Sequence, residues 1–415
     1  MPIIGEIIVS GDKSISHRAL MLGSLLSGES YISNLSTSKD VMSTIKCLKR
    51  CGVNISSNNM KVNIIGGELQ KPEGLLDCEN SGTTARLMLG ILSSLNIEAT
   101  LVGDKSLSKR PMNRVIEPLE LMGASFNSNQ GKLPITINST SKLQPIIYVM
   151  PVASAQVKSS ILFASLNTIG STRVLESYNS RDHTELMLKE IGVDIKINNY
   201  IEITNPSLRD KCISIDVPGD PSSASFLIAA AVMIPKSSLR LKNILCNPRR
   251  IKYIDIINKM GGDISINNYK MSNGELIGDI TVNYKPLRGI IIDEDVIPQI
   301  IDEIPILSLI STQANGETII NGISELRFKE SDRVHAIKVN LEAMGASVNA
   351  DGDSIIINGP KILHNTTIKT YSDHRIAMTF VIAGLLTGKF NIIDDIHCIE
   401  NSFPEFFSLL KTICL

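Results

Sequence analysis

Six short stretches set a capping residue, and in most of them a cation, at the head of an apolar run. They read Gly11-Asp-Lys-Ser-Ile-Ser-His-Arg18, Asn80-Ser-Gly-Thr-Thr-Ala-Arg86, Ala153-Ser-Ala-Gln-Val-Lys158, Gly219-Asp-Pro-Ser-Ser-Ala-Ser225, Ile301-Asp-Glu-Ile-Pro305 and Ser372-Asp-His-Arg375. Ser, Thr, Asn and Asp are the residues that cap helix N-termini, so each stretch predicts a helix start. A helix N-terminus offers unpaired N–H groups and a partial positive charge, which suit phosphate and carboxylate. Any one stretch alone could be a cap and nothing more. The cations argue further. Lys13, Arg18, Arg86, Lys158 and Arg375 fall in early turns, where positive charge opposes the dipole and costs stability unless an anion offsets it. The chemistry expected is the binding of small anions, with six helix ends aimed at one cleft.

Those helices need elements to carry them, and the sequence repeats a unit that could. An apolar helical run ends at a Gly, then two alternating strands follow around a polar turn. The Gly residues are Gly52, Gly123, Gly192, Gly261 and Gly345, spaced 71, 69, 69 and 84 apart. Turns are expected at Asn58-Asn59, Gln130-Gly131, Asn198-Asn199 and Asp351-Gly352. Each Gly suits the left-handed position that ends a helix, and the polar pairs suit hairpins. A single such Gly means little, whereas recurrence in near-constant phase means an internal repeat. The last helix, expected over Pro404 to Leu410, has no hairpin after it. The opening strand, residues 3–9, would complete that sixth unit and so belong with the C-terminal half.

Composition bounds the rest. At 415 residues two domains are the natural expectation. A formal net charge of -1 gives no general attraction to nucleic acid or to an anionic membrane, and 4% aromatics with no Trp argues against base stacking. The seven cysteines are scattered, with no Cys-x-x-Cys pair, and read as buried thiols. No basic-then-apolar leader opens the sequence, and the best apolar stretch, Phe226 to Pro235, is well short of the ~20 residues that span a bilayer. The cytoplasm is the expected compartment. Lys13-Ser14 is similar to the end of a P-loop, but Asp12 stands where that loop needs Gly, so such an ATPase is not expected.

The two long N-terminal motifs resemble the 5-enolpyruvylshikimate-3-phosphate synthase family. The resemblance continues through Lys109-Arg-Pro111, Ser154-Ala-Gln156, Asp302-Glu-Ile-Pro305, Lys329-Glu-Ser-Asp-Arg333, Asp373-His-Arg375 and Asn401-Ser-Phe-Pro404. These segments keep the family's order from the first strand to the last helix. The resemblance implies an α/β (α+β) fold, a two-domain inside-out barrel of six βαβαββ repeats, three per domain. Residues 12–218 would form one domain, and residues 1–11 with 219–415 the other. It implies transfer of the enolpyruvyl group of phosphoenolpyruvate to the 5-hydroxyl of shikimate-3-phosphate, releasing phosphate through a tetrahedral intermediate. It implies no metal and no organic cofactor, and the six histidines include no closely spaced ligand set. His17, His335 and His374 sit beside motif residues in hydrogen-bonding or packing roles. The partners implied are the two small substrates, with no nucleic acid, no membrane, and a monomeric chain.

By the same resemblance, phosphoenolpyruvate would be held by Lys13, Gly82, Arg110, Gln156, Arg333 and Arg375. Planar Arg forks match its carboxylate and phosphate, and Gly82 lets backbone approach closely. Shikimate-3-phosphate would be held by Lys13, Ser14, Arg18, Ser154, Gln156, Asp302 and Lys329. The reaction needs a base at the hydroxyl and an acid at the methylene, roles that fall to Asp302 and Glu330, with Lys13 assisting the bridging oxygen. Glu303 is an alternative base, and Asp302 could also be a helix cap. Glyphosate occupies the phosphoenolpyruvate site in the family, and a methyl group at Gly82 would crowd it.

Three positions depart from the commonest pattern. Ala155 replaces a second Ser, Asn401 replaces a Lys near the leaving group, and Glu176 to Arg181 does not match the usual Ser-containing segment. Asn80-Ser-Gly-Thr-Thr-Ala-Arg86 and the Ala155 pattern look like the divergent bacterial branch of the family. The sister enzymes that use UDP-N-acetylglucosamine are the nearest alternative, but they carry Lys-Asn where this chain has Lys13-Ser14, and a loop Cys absent from residues 103–110. A nucleic-acid clamp would want more basic charge. An inactive binding protein is the remaining alternative, although no proposed catalytic position is lost.

Overall fold

The first helix shows how the sequence builds its elements. The Asp12 carboxylate accepts from Ile15 N–H at 2.8 Å, and the helix α1 then runs Lys13–Leu25. Ser38 caps α2 (Lys39–Arg50), Ser81 caps α3 (Gly82–Ser94) and Ser154 caps α5 (Ala155–Ser165), with α4 (Asn113–Leu121) and α6 (His183–Glu190) between and after them. Asp220 caps α7 (Pro221–Met233), whose Pro sits in the first turn, where its missing N–H costs nothing. Then come α8 (Lys252–Lys259), α9 (Ile297–Ile300), α10 (Ile304–Ser311), α11 (Arg333–Ala343), α12 (His374–Leu386) and α13 (Phe406–Ile413). Asp332 and Asp373 cap α11 and α12 through their carboxylates. All six motif stretches do begin helices. This computed structural model describes residues 1–58, 60–140, 142–389 and 391–414.

The chain divides into two compact units. The first, unit N, comprises Gly11–Val217 and Ser272–Glu275; the second, unit C, comprises Met1–Ser10, Pro218–Met271 and Leu276–Leu415. Within unit N, α3 packs on α1 and on α5; within unit C, α7, α10 and α12 pack on one another. After its serine-rich start α7 is apolar all round because it is wrapped: every residue of it is buried. The outer helices α2 and α8 carry charge on one face and alternate with small sheets.

Each complete sheet follows one rule. A leading strand lies parallel to a second, whose other edge pairs antiparallel with the far strand of a hairpin. In unit N, Leu76–Asp77 leads Ala99–Val102, with the hairpin of Ser125–Asn129 and Lys132–Asn138 beside it. Ile147–Met150 leads Ser171–Glu176 in the same way. The first repeat of unit N takes its leading strand from the unit's far end, where Ser214–Asp216 pairs parallel with Glu29–Ser33. In unit C, Ile291–Ile292 leads Gly316–Asn321, while Thr367–Ile368 and Ile392–Ile393 form a sheet of two strands without a hairpin.

The opening strand corrects the sequence reading. Ile4–Ile8 lies parallel to Ser238–Leu245, from Ile4 opposite Ser238 to Ile8 opposite Lys242. It therefore leads the fourth repeat instead of completing the sixth, whose last helix α13 packs against it and whose Cys414 bridges to Ile3. The driving force is burial: Ile3, Ile7 and Val9 enter the core of unit C. The last helix also shifts, to Phe406–Ile413, because Ile413 reaches that core too.

The repeat glycines behave as one device. Gly52, Gly123, Gly192, Gly261 and Gly345 have φ of 85°, 101°, 74°, 99° and 90°. Each N–H bonds three residues back, and the next N–H reaches five back, as from Ala124 to Leu119 O at 3.0 Å. The hairpin turn at Gln130-Gly131 has φ of 52° and 69°, fitting a tight two-residue loop. Asn59, of the expected Asn58-Asn59 turn, lies outside the described residues.

No helix among the described residues is long and apolar enough to cross a membrane. All seven cysteines are free, and five are buried.

Candidate functional site

In unit N the helix starts gather a basic set. Lys13 opens α1, and its Nζ lies 2.8 Å from Asp40 Oδ2 in the first turn of α2. Ser14 follows, and its carbonyl accepts from Arg18 Nη1 at 2.9 Å. Gly82 opens α3 between two guanidinium groups: a Cβ there would stand 2.7 Å from Nη1 of Arg86 and 3.5 Å from Nη1 of Arg110. Arg86 Nη1 donates to Gln156 Oε1 at 2.7 Å, and Gln156 Nε2 donates to Thr83 Oγ1 at 2.9 Å. Arg110 Nη2 donates to Asn80 Oδ1 at 2.8 Å. Ser154 caps α5 through Val157 N–H. Gly82, Arg86, Arg110 and Gln156 are thus neighbours, around the N-terminus of α3.

Beneath them runs a chain of hydroxyls. His17 Nδ1 meets Thr44 Oγ1 at 2.7 Å, Thr44 Oγ1 meets Thr84 Oγ1 at 2.7 Å, and Thr84 donates to the capping Ser81 Oγ at 2.8 Å. Burial holds the His17 pKa well below its ordinary value, and the charges of Lys13 and Arg18 push the same way. It is a neutral hydrogen-bonding residue that ties α1 to α2, and Thr84 carries the tie to α3.

One cation departs from expectation. Lys158 is fully buried, with Nζ 2.7 Å from both Glu176 Oε2 and Glu185 Oε1. The anions that offset its place near the start of α5 are supplied by the fold, and nothing small could reach it. Burial raises the Glu185 carboxyl pKa, a rise that the Lys158 charge partly opposes. Segment 176–181 has a structural part here, since Ser180 Oγ also donates to Glu176. Ala155 is the first residue of α5, and Asn401 ends a short 3-10 turn, His397–Asn401.

In unit C the acidic and basic candidates converge on Arg333, which is 1% exposed. Its Nε donates to Asp373 Oδ2 at 2.8 Å, Nη2 to Glu330 Oε2 at 2.6 Å, and Nη1 to Asp302 Oδ1 at 3.3 Å. Burial works against this charge, but Asp373, Glu330 and Asp302 outweigh it and raise the Arg333 pKa. For Asp373, burial pushes the carboxyl up and the Arg333 charge pulls it further down, to a net lowering. Arg375 Nη1 donates to the Asp302 carbonyl at 3.0 Å, and Nη2 lies 3.7 Å from Asp302 Oδ2.

The two adjacent carboxylates differ in access. Asp302 is 18% exposed, whereas Glu303 is 1% exposed and accepts from Ser222 Oγ at 2.6 Å. Burial therefore disfavours Glu303 as the base. Lys329 and Glu330 follow the 3-10 turn Ser324–Phe328 and are half-buried.

Sequence reasoning assigned no ligand role to Arg86 and none to Asp373. Arg86 carried a signal, a cation near the start of a helix. Asp373 carried only that of a cap, and its second bond, to Arg333, follows from the packing of α11 on α12. Among the described residues no group of three or more His, Cys, Asp and Glu could hold a metal ion.

The family described as EPSP synthase (3-phosphoshikimate 1-carboxyvinyltransferase) matches residues 1–410. A 3-phosphoshikimate 1-carboxyvinyltransferase of Oceanobacillus iheyensis is 45% identical over 414 residues, covering 99% of this chain and 96% of that one. Its counterpart in Thermoanaerobacter sp. (strain X514) is 43% identical over 406 residues, covering 97% and 96%. The solved EPSP synthase of Acinetobacter baumannii superposes with a TM-score of 0.88 at 37% identity, covering 100% of this chain and 96% of that one. With a family match over nearly its whole length and relatives this similar, the chain belongs to the EPSP synthase family.

Proposed function

We infer that the two side-chain sets divide one reaction, the basic set of unit N and the acid–base set of unit C each being required. The chain is a 3-phosphoshikimate 1-carboxyvinyltransferase: it transfers the enolpyruvyl group of phosphoenolpyruvate to the 5-hydroxyl of shikimate-3-phosphate and releases phosphate. The residue roles are our proposal. Asp302 takes the proton of the 5-hydroxyl as its oxygen adds to the vinyl carbon, and Glu330 gives a proton to the methylene. In the second step the bridging oxygen leaves with phosphate, assisted by Lys13, and the new methyl group returns a proton to restore the double bond.

Arg110, Arg333, Arg375, Lys13, Gln156 and the backbone at Gly82 bind phosphoenolpyruvate in this reading. Lys13, Ser14, Arg18, Ser154, Gln156, Asp302 and Lys329 bind shikimate-3-phosphate. The observation that carries it is the shared guanidinium of Arg333, bonded at once to Asp302 and Glu330. One cation thus sits against both the acid and the base, where the reacting trianion needs charge balance. We also propose that the enzyme works as a cytoplasmic monomer, with no nucleic-acid partner.

The test is phosphate release from phosphoenolpyruvate with shikimate-3-phosphate against UDP-N-acetylglucosamine, expected with the first acceptor only. Asp302→Asn should cut turnover by roughly 10²–10⁴-fold with binding largely kept. Glu330→Gln should slow solvent-deuterium entry into the methylene as strongly as it slows turnover, provided shikimate-3-phosphate still binds. Wild-type exchange with collapsed turnover would remove Glu330 as the donor and leave Lys13 as the next candidate.

A further inference from the structure

Arg18 is 3% exposed, and its guanidinium is gripped along one edge. Nε donates to Thr184 Oγ1 at 2.7 Å and Nη2 donates to Ser159 Oγ at 2.7 Å. The two hydroxyls also meet each other at 2.7 Å, closing a three-membered ring of hydrogen bonds. They come from different helices, Ser159 from α5 and Thr184 from α6. The residues beside them in sequence, Lys158 and Glu185, form the buried ion pair that joins the same two helices. That pair fixes the helix spacing at which the hydroxyls meet.

We propose that Ser159 and Thr184 are positioning residues for shikimate-3-phosphate binding, acting by orienting the Arg18 guanidinium. An arginine binds an anion well only if its fork is aimed, since two N–H groups must reach two oxygens together. A carboxylate in place of these hydroxyls would aim the fork but also cancel charge that the substrate needs. Neutral hydroxyls orient it without adding an opposing charge. Aiming in advance lowers the ordering cost of binding, so the pair acts on affinity and not on the chemical step.

This inference rests on the reading of Arg18 as a shikimate-3-phosphate ligand, and the experiment separates the two. Steady-state constants are measured for Thr184→Val, Ser159→Ala, Thr184→Ser and Arg18→Gln. Loss of one hydrogen bond to a charged group should raise the KM for shikimate-3-phosphate on the order of tenfold in Thr184→Val and Ser159→Ala. The KM for phosphoenolpyruvate and kcat at saturation should stay within about twofold, and Thr184→Ser should restore most of the loss. Arg18→Gln should raise the same KM further, and adding Thr184→Val to it should do little more.

If Arg18→Gln leaves the shikimate-3-phosphate KM unchanged, the ligand reading of Arg18 fails and this inference with it. If Arg18→Gln raises it but neither hydroxyl variant does, Arg18 binds and the positioning role is wrong. A parallel rise in both KM values with a fall in kcat would mark a general packing defect and also reject the proposal. Should Thr184→Val not fold, Ser159→Ala removes the other acceptor with a smaller change in shape and decides alone.

Discussion

A methyl group on Gly82 meets the far end of a flexible side chain, Arg86 Nη1 at 2.7 Å, with Arg110 Nη1 next at 3.5 Å. Gly82→Ala should therefore fold, with Arg86 displaced from Gln156. The expected outcome is weaker inhibition by glyphosate with a smaller rise in the KM for phosphoenolpyruvate; equal losses would make the position structural. His17 supports a second prediction at this scale. Its folded pKa is lowered, so below the ordinary value of 6.5 the unfolded chain binds a proton that the folded chain refuses. Stability should fall as pH drops from there, and level off once the folded pKa is passed. Urea unfolding over that window should show a shallower fall for His17→Gln than for the parent; identical slopes would contradict a buried neutral imidazole. Legibility was uneven among residues. Cations at helix starts could be read directly, since capping is local. The partners of Lys158 could not, because Glu176 and Glu185 reach it only after α5 and α6 pack.

Elements were the most legible level, because each is specified within a few residues. The five helix-ending glycines all take positive φ, and periodic recurrence made them visible where one alone would not have been. Gly123 isolates the backbone cost: its φ is 101° and a Cβ would meet nothing within 4 Å. Gly123→Ala should lose about 1–2 kcal/mol by denaturant titration, with KM and kcat unchanged. A neutral result would mean the cap relaxes without penalty. Strand order was not legible from element signals. Alternation shows that residues 3–9 can form a strand, but which sheet edge accepts it depends on partners more than two hundred residues away.

At the scale of the molecule, each unit takes its first repeat's leading strand from a distant part of the chain: unit N from the far end of its own continuous stretch, unit C from the separate opening residues. The opening strand is the one that unit C borrows. Ile7→Ala should destabilise that unit by about 2–5 kcal/mol, the range for emptying a buried Ile site. Hydrogen exchange should then show protection lost across Ser238–Leu245 and its sheet, with Glu29–Ser33 unaffected; equal loss in both sheets would deny the assignment. The same connectivity sets an order of events on the ribosome. Ile3 N–H ends at Ser237 Oγ, 2.8 Å away and 234 residues downstream. At ~5–20 residues per second, synthesis of that span takes on the order of 10–50 s. Unit N receives its closing strand, Ser214–Asp216, before then, while the apolar leading segment stays unpaired and open to chaperones or to a neighbouring nascent chain. A segment that leaves the tunnel early waits for more than two hundred residues before its partner is made.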